Sequence, residues 1–273
     1  MIVVTGTKRA GTSMWMQVLK AAGLPVLGEA FPRDWGATIR DANAQGFYES
    51  SLRHGVYFGT NPNPRTGAYL FPEQARRHAV KIFAPGVVRS ERSYLDRVIC
   101  TVRPWREYVS SMQRLQRLER EARPGARPEE RPAARDDEVP GLGRRQTLAP
   151  ELEWWLENYA LILDAQRRRY ALHVVSYDAV LATPAETLGP ILTWVGGDLA
   201  LDAAVAVVSE KARTQRDPSL EGVDLPEGAA ATFDALYGRI HEGAPLEADF
   251  VARMNRTHQS LLPLLRPPAR KRA

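Results

Sequence analysis

The chain opens Ile2-Val3-Val4-Thr5-Gly6-Thr7-Lys8-Arg9-Ala10-Gly11-Thr12-Ser13, and these twelve residues decide the fold. Ile2 to Thr5 is β-branched and apolar throughout, the pattern of a parallel strand covered on both faces. Gly6 to Gly11 is a small polar turn. From Thr12 to Ala22 the apolar residues Met14, Met16, Val18 and Leu19 predict a helix that stops at Gly23. Strand, glycine turn and helix in that order present successive backbone N–H groups and a helix N-terminus to an anion, and glycine lets the backbone approach it closely. Thr12 and Ser13 add hydroxyl donors in the first helical turn.

Working outward, Leu24 to about Phe71 is rich in Pro, Gly, Asn and aromatics, and predicts short helices and loops over the C-terminal edge of a sheet. Ala79 to Phe83 predicts a second strand and Arg97 to Val102 a third. A helix is expected from about Trp105 to Arg120 and another from Glu151 to Arg169. Leu172 to Ser176 predicts a fourth strand, followed by a helix from Pro184 to Val195. Strands alternating with helices imply a three-layer α/β/α fold around a central parallel sheet of about four to five strands. Residues 1–265 are expected to form one domain, with a basic tail at 266–273. The Pro, Arg, Glu and Gly of 121–150 cannot bury enough apolar surface to offset ordering, so a mobile insertion is expected there, a plain loop or a lid.

The 273 residues are 44% hydrophobic and 25% charged, which excludes collagen-like, wholly disordered and disulfide-stapled chains. Lys and Arg exceed Asp and Glu by 37 to 32, a net +5, which favours an anionic ligand through the summed field. The lysines are Lys8, Lys20, Lys81, Lys211 and Lys271. The Arg-rich stretch is interleaved with acids and lacks stacking aromatics, so no nucleic-acid partner is expected. Cys100 allows no internal disulfide and lies in a strand. No apolar run is long enough to span a membrane, and the start reads as a core strand in place of a signal peptide. A cytoplasmic protein is expected.

The opening loop has the spacing of Gly-x4-Gly-Lys-Ser/Thr, but Thr12 stands where a nucleoside-triphosphate site needs its lysine. The strands ending at Phe83 and Val102 carry no terminal Asp to hold magnesium. Lys8 and Arg9 supply cations inside the loop instead.

Lys8-Arg9-Ala10-Gly11-Thr12-Ser13 resembles the 5′-phosphosulfate loop of the P-loop sulfotransferases that use 3′-phosphoadenosine 5′-phosphosulfate (PAPS), with Lys8 in place of the usual proline. That family's second signature is an Arg at a strand end and a Ser eight residues later, here Arg103 and Ser111, which the resemblance assigns to the 3′-phosphate. Val174-Val175-Ser176-Tyr177-Asp178 is similar to the segment whose tyrosine lies near the adenine. Ala79-Val80-Lys81 matches the strand whose lysine approaches the transferred sulfo group. Lys211, Arg213 and Arg216 match a late basic loop over the cofactor, with Arg213 as the cofactor contact.

The resemblance implies in-line transfer of a sulfo group to a hydroxyl or amine, with adenosine 3′,5′-bisphosphate leaving and no metal. Arg9 and Lys81 would stabilise the developing negative charge. Many family members place their basic histidine where this chain has Phe83, so the base must differ. Gln45-Gly46-Phe47-Tyr48-Glu49 resembles a stretch of bacterial relatives and makes Glu49 the first candidate, with His54 and Asp34 in reserve. Phe31, Trp35, Phe47, Tyr48, Tyr57, Phe58, Tyr69 and Phe71 form either an apolar acceptor pocket or a small core of their own. A small-molecule or glycan acceptor is expected, and the oligomeric state stays open. The alternatives are an ATP-dependent small-molecule kinase and a non-catalytic protein that retains the fold.

Overall fold

Five parallel strands form the central sheet, side by side in the order Val26–Leu27, Ala79–Lys81, Ile2–Thr5, Arg97–Val102 and Ala171–Ser176. The computed structural model describes residues 1–30, 46–121, 138–139, 143–144, 148–209, 220 and 222–265. In chain order the elements are β1 (Ile2–Thr5), α1 (Thr12–Ala21), β2 (Val26–Leu27), α2 (Pro72–Ala75), β3 (Ala79–Lys81), α3 (Ala84–Arg89), β4 (Arg97–Val102) and α4 (Trp105–Glu121). There follow β5 (Glu138–Val139), β6 (Gly143–Arg144), α5 (Pro150–Arg168), β7 (Ala171–Ser176), α6 (Tyr177–Ala182), α7 (Pro184–Val195), α8 (Leu201–Ala206), α9 (Ala229–Glu242) and α10 (Ala248–Leu265).

The period of two along the strands sorts their side chains into two cores. Ile2, Val4, Ala79, Ile99 and Val175 face α1, α7 and α8, where Trp15, Leu19, Leu188 and Leu192 cover them. Val3, Val80, Val98, Cys100 and Val102 face the other way, under Tyr108, Trp154, Trp155, Phe233 and Met254 of α4, α5, α9 and α10. This is the three-layer α/β arrangement the sequence predicts. Trp155 and Phe233 stack at 4.8 Å, a geometry worth about 0.5–1.5 kcal/mol beyond the area it buries. Among the described residues no helix is long and apolar enough to cross a membrane.

Strand order places the ligand edge. From β1 the chain moves to β2 and β3 on one side, then jumps across β1 to β4 and β7 on the other. Parallel sheets bind ligands outside the C-terminal ends of their strands where the order reverses in this way. Thr5, Lys81, Val102 and Ser176 end their strands at that edge, so the loop at 6–11, Lys81, Arg103 and Tyr177 gather there.

Some boundaries differ from the sequence reading. β3 stops at Lys81, because extended Phe83 heads α3 and Pro85 in its first turn offers no N–H. β2 was expected as loop; two residues carry no readable period, and pairing to β3 makes them a strand. Within 121–150, a two-stranded antiparallel ribbon pairs β5 with β6. Most of that expected mobile insertion lies outside the described residues, as does the tail at 266–273.

Candidate functional site

The glycine loop at 6–11 is held from below by β4. Gly6 has φ +150°, and a β-carbon there would stand 2.4 Å from the Thr101 carbonyl oxygen, so only glycine lets the turn lie this close. The Thr101 hydroxyl donates to the Ala10 carbonyl at 3.0 Å. Arg9 is left-handed at φ 66°, a conformation that costs a non-glycine residue of order 1–3 kcal/mol and accumulates at ligand sites. Gly11, at φ 95°, precedes α1 with no side-chain cap and no acid in the first turn. The first N–H groups of α1 are thus left for an anion. A β-carbon on Gly11 would meet the Tyr177 ring at 2.7 Å, so that ring lies flush against the loop.

On one flank stands a buried ion pair. Lys81 Nζ donates to Glu49 Oε1 at 2.6 Å, to the Phe47 carbonyl at 3.1 Å and to Ser13 Oγ at 3.4 Å. Lys81 and Glu49 are 5% and 6% exposed. The anionic partner that an ammonium in so apolar a strand requires is therefore Glu49, and Ser13 ties the pair to the first turn of α1. Glu49 Oε2 is buried and has no hydrogen-bond partner among the described residues. The segment is fixed by an antiparallel bridge between Glu29 and Glu49, and Tyr48 carries a left-handed φ of 55°.

On the other flank, Arg9 Nε donates to Ser111 Oγ at 3.4 Å. Arg103 Nε donates to Glu107 Oε2 at 2.8 Å, a buried i,i+4 pair. This leaves Arg103 Nη2 buried with no partner among the described residues. The Arg103 guanidinium lies 5.3 Å from the centre of the Tyr177 ring. Arg9 keeps an exposed side, yet partial withdrawal from water, then the charge of Arg103, hold it below its ordinary value, and a guanidinium stays cationic at neutral pH. Both strand-end cations thus carry a carboxylate of their own, and each flank keeps a polar atom in hand.

Tyr177 does not end a strand. It opens α6, whose cap is Ser176, with Oγ accepting from the Ala179 N–H. Ser176 Oγ also lies 2.9 Å from His241 Nδ1, and Tyr237 donates to Asp178 Oδ2 at 2.7 Å. Helix α9 in this way fixes the turn that presents Tyr177.

Of the expected site residues, the structure brings Arg9, Ser111, Arg103 and Tyr177 together on one flank and Lys81, Glu49 and Ser13 on the other. Ala10, Gly11 and Thr12 line the loop between them, and Lys8 is half-exposed there. Arg213, with Lys211 and Arg216, lies outside the described residues, as do Asp34, Phe31 and Trp35. His54 is buried, not solvated, with its ring edge-on to Phe83 at 5.8 Å. Of the described aromatics, Tyr69 and Phe71 pack on each other, exposed. Tyr69 bonds to Tyr94, whose carbonyl receives the amino terminus, at the strands' other ends. Thr101 and Glu107 were missed. Glu107 is legible, four residues after Arg103 on a helix, but nothing local marks Thr101, whose role depends on its register beside Gly6.

No protein-family model matches the chain, and no curated protein sequence matches it. Among solved structures it is similar to sulfotransferase STF1 from Mycobacterium tuberculosis H37Rv, with a TM-score of 0.43 and 16% identity, over 86% of this chain and 75% of that one.

Proposed function

We propose that the protein is a sulfotransferase that takes its sulfo group from 3′-phosphoadenosine 5′-phosphosulfate and transfers it to a hydroxyl or amine of a small molecule or glycan. One observation carries this reading. A phosphate loop without the nucleotide-kinase lysine is flanked by two cation sites, Lys81 with Glu49 on one side and Arg103 with Ser111 on the other, and hydrogen bonds tie each to the loop.

The residues fit a nucleotide with phosphate groups at both ends of its ribose. The loop amides and Arg9 would receive the 5′ group, Arg103 Nη2 and Ser111 the 3′-phosphate, and Tyr177 the base or ribose face. When bound, the donor supplies an activated sulfo group attached to a stable leaving phosphate.

Glu49 is suited to take the acceptor's proton. Lys81 fixes Oε1, and Oε2 is uncommitted. Lys81 orients that carboxylate and places a positive charge beside the first turn of α1. Arg9, a permanent cation, supplies fixed charge and hydrogen bonds to developing negative charge, in a site already organised before reaction. Phe83 fills the position of the family histidine, so proton removal falls to the carboxylate from the loop before β3.

Calorimetric titration of the full chain with adenosine 3′,5′-bisphosphate, AMP and ATP with magnesium tests the reading, paired with transfer from a labelled donor to alcohols, phenols and amines. The bisphosphate is expected to bind at least tenfold more tightly than AMP, and label to reach an acceptor. Equal binding of bisphosphate and AMP, or preference for ATP with magnesium, overturns it.

A further inference from the structure

Helix α6 runs for six residues, too short to hold itself in place, because a helical turn is unfavourable to nucleate and few bonds follow it here. Its position is set by what grips its first turn, and that turn carries Tyr177. Two grips come from α9. Phe233, Leu236 and Ile240 seat α9 in the core. The same helical period puts Tyr237 and His241, four residues apart, side by side on an adjoining face. Tyr237 donates to Asp178 Oδ2 at 2.7 Å. His241 Nδ1 lies 2.9 Å from Ser176 Oγ, and either imidazole tautomer keeps that bond, because a hydroxyl both donates and accepts.

Ser176 caps α6 without help from α9: its Oγ accepts from the Ala179 N–H at 3.0 Å, and the residue is 1% exposed. His241 is exposed, yet its ring nitrogen is turned onto that buried cap. The contact fixes the cap oxygen from outside α6, and the cap sets the direction in which the next residue leaves. Tyr177 has little room for error. A β-carbon on Gly11 would meet its ring at 2.7 Å, and the Arg103 guanidinium stands 5.3 Å from the ring centre. A small rotation of the turn either lifts the ring off the loop or drives it into Gly11.

We propose that His241 is a positioning residue of the nucleotide site: through the Ser176 cap, and with Tyr237 on Asp178, it holds the Tyr177 ring flush with the glycine loop and touches no nucleotide itself. The proposal rests on the nucleotide reading above. It gives α9, which lines no part of the loop, control over the adenosine end of the ligand. Because adenosine is common to AMP and the 3′,5′-bisphosphate, His241 acts on both alike.

Calorimetry on the full chain and on His241→Leu and His241→Asn, each with adenosine 3′,5′-bisphosphate and with AMP, tests it. Loss of one hydrogen bond behind the site is expected to weaken both nucleotides about fivefold. Asparagine carries a polar atom at the place of Nδ1 and should restore affinity to within about twofold of the parent on the same grounds. In a Tyr177→Ala background, where no ring is left to position, His241→Leu should change affinity less than about twofold. Where Tyr177→Ala does not fold, the asparagine arm decides alone. If the parent prefers bisphosphate and His241→Leu binds as the parent does, His241 is a surface residue and this inference alone fails. Equal weakening by leucine and asparagine, or an effect that persists without the Tyr177 ring, also overturns it, because His241 then acts through general packing. A parent with no preference for bisphosphate over AMP overturns the nucleotide reading, and this inference with it.

Discussion

Replacing Glu49 by glutamine separates what the carboxylate does for the fold from what it does for chemistry. The side chain keeps its shape and an acceptor oxygen but loses its charge. Lys81 Nζ, 5% exposed, would keep the Phe47 carbonyl at 3.1 Å and Ser13 Oγ at 3.4 Å and lose its ion partner at 2.6 Å. Breaking a buried pair by removing one member costs about 3–5 kcal/mol, and the surviving acceptors place this case near 3 kcal/mol. For a chain of this size that amounts to roughly 6–12 °C in melting temperature. Turnover should fall about 10²–10⁴-fold with the base gone, while the dissociation constant for adenosine 3′,5′-bisphosphate, gripped by the loop and the Arg103 flank, stays within about threefold.

A double variant, Glu49→Gln with Lys81→Met, then decides the cause. Removing both charges relieves the stranded ammonium and should recover much of the stability without recovering turnover. The assay is single-turnover sulfo transfer well below the melting temperature, normalised to bisphosphate-binding sites, alongside thermal melts. Turnover of Glu49→Gln within fivefold of the parent, or recovered in the double variant, refutes the assignment of Glu49 as base.

Arg9→Ala should raise the barrier by about 3 kcal/mol, the cost of deleting one transition-state donor. A loss of kcat below tenfold in steady-state assays would give that role to another group. Gly11→Ala places a β-carbon 2.7 Å from the Tyr177 ring at a φ of 95°. Bisphosphate affinity should drop more than tenfold and the melting temperature fall by several degrees for about 1–3 kcal/mol of strain, and unchanged calorimetry would contradict the packing of loop against ring. Burial holds the His173 and His258 imidazoles below their ordinary value of 6.5. The unfolded chain therefore takes up protons that the folded one refuses, so stability is full above about pH 6.5 and declines as pH falls. Urea midpoints at neutral and mildly acidic pH should show this, with a smaller drop in His258→Asn; an equal drop removes His258 from the effect.

Local patterns legible along the chain were those whose physics is local. The apolar run of β1, the glycine turn and the amphipathic α1 announced a strand-turn-helix unit, because strand period, left-handed turn and helix start are each set by a few consecutive residues. Arg103 and Ser111 stood out only through the resemblance, which pairs a strand-end arginine with a hydroxyl two helical turns along; each alone reads as a surface residue. The alternation of strands and helices was enough to give the layers and the parallel sheet.

What joined these pieces was decided only in three dimensions. Lys81 and Glu49 belong to segments with no common pattern, and each alone reads as a charge needing an explanation; only the bridge from Glu29 to Glu49 and the seating of β3 beside β1 bring them to 2.6 Å. Thr101 grips the loop because β4 is in register with β1, and Arg9 meets Ser111 because α4 returns over that edge. Such contacts arise from strand order and register, which are set by burying two apolar faces at once. A one-dimensional pattern fixes which residues seek the core, but not which polar ends the core then carries together.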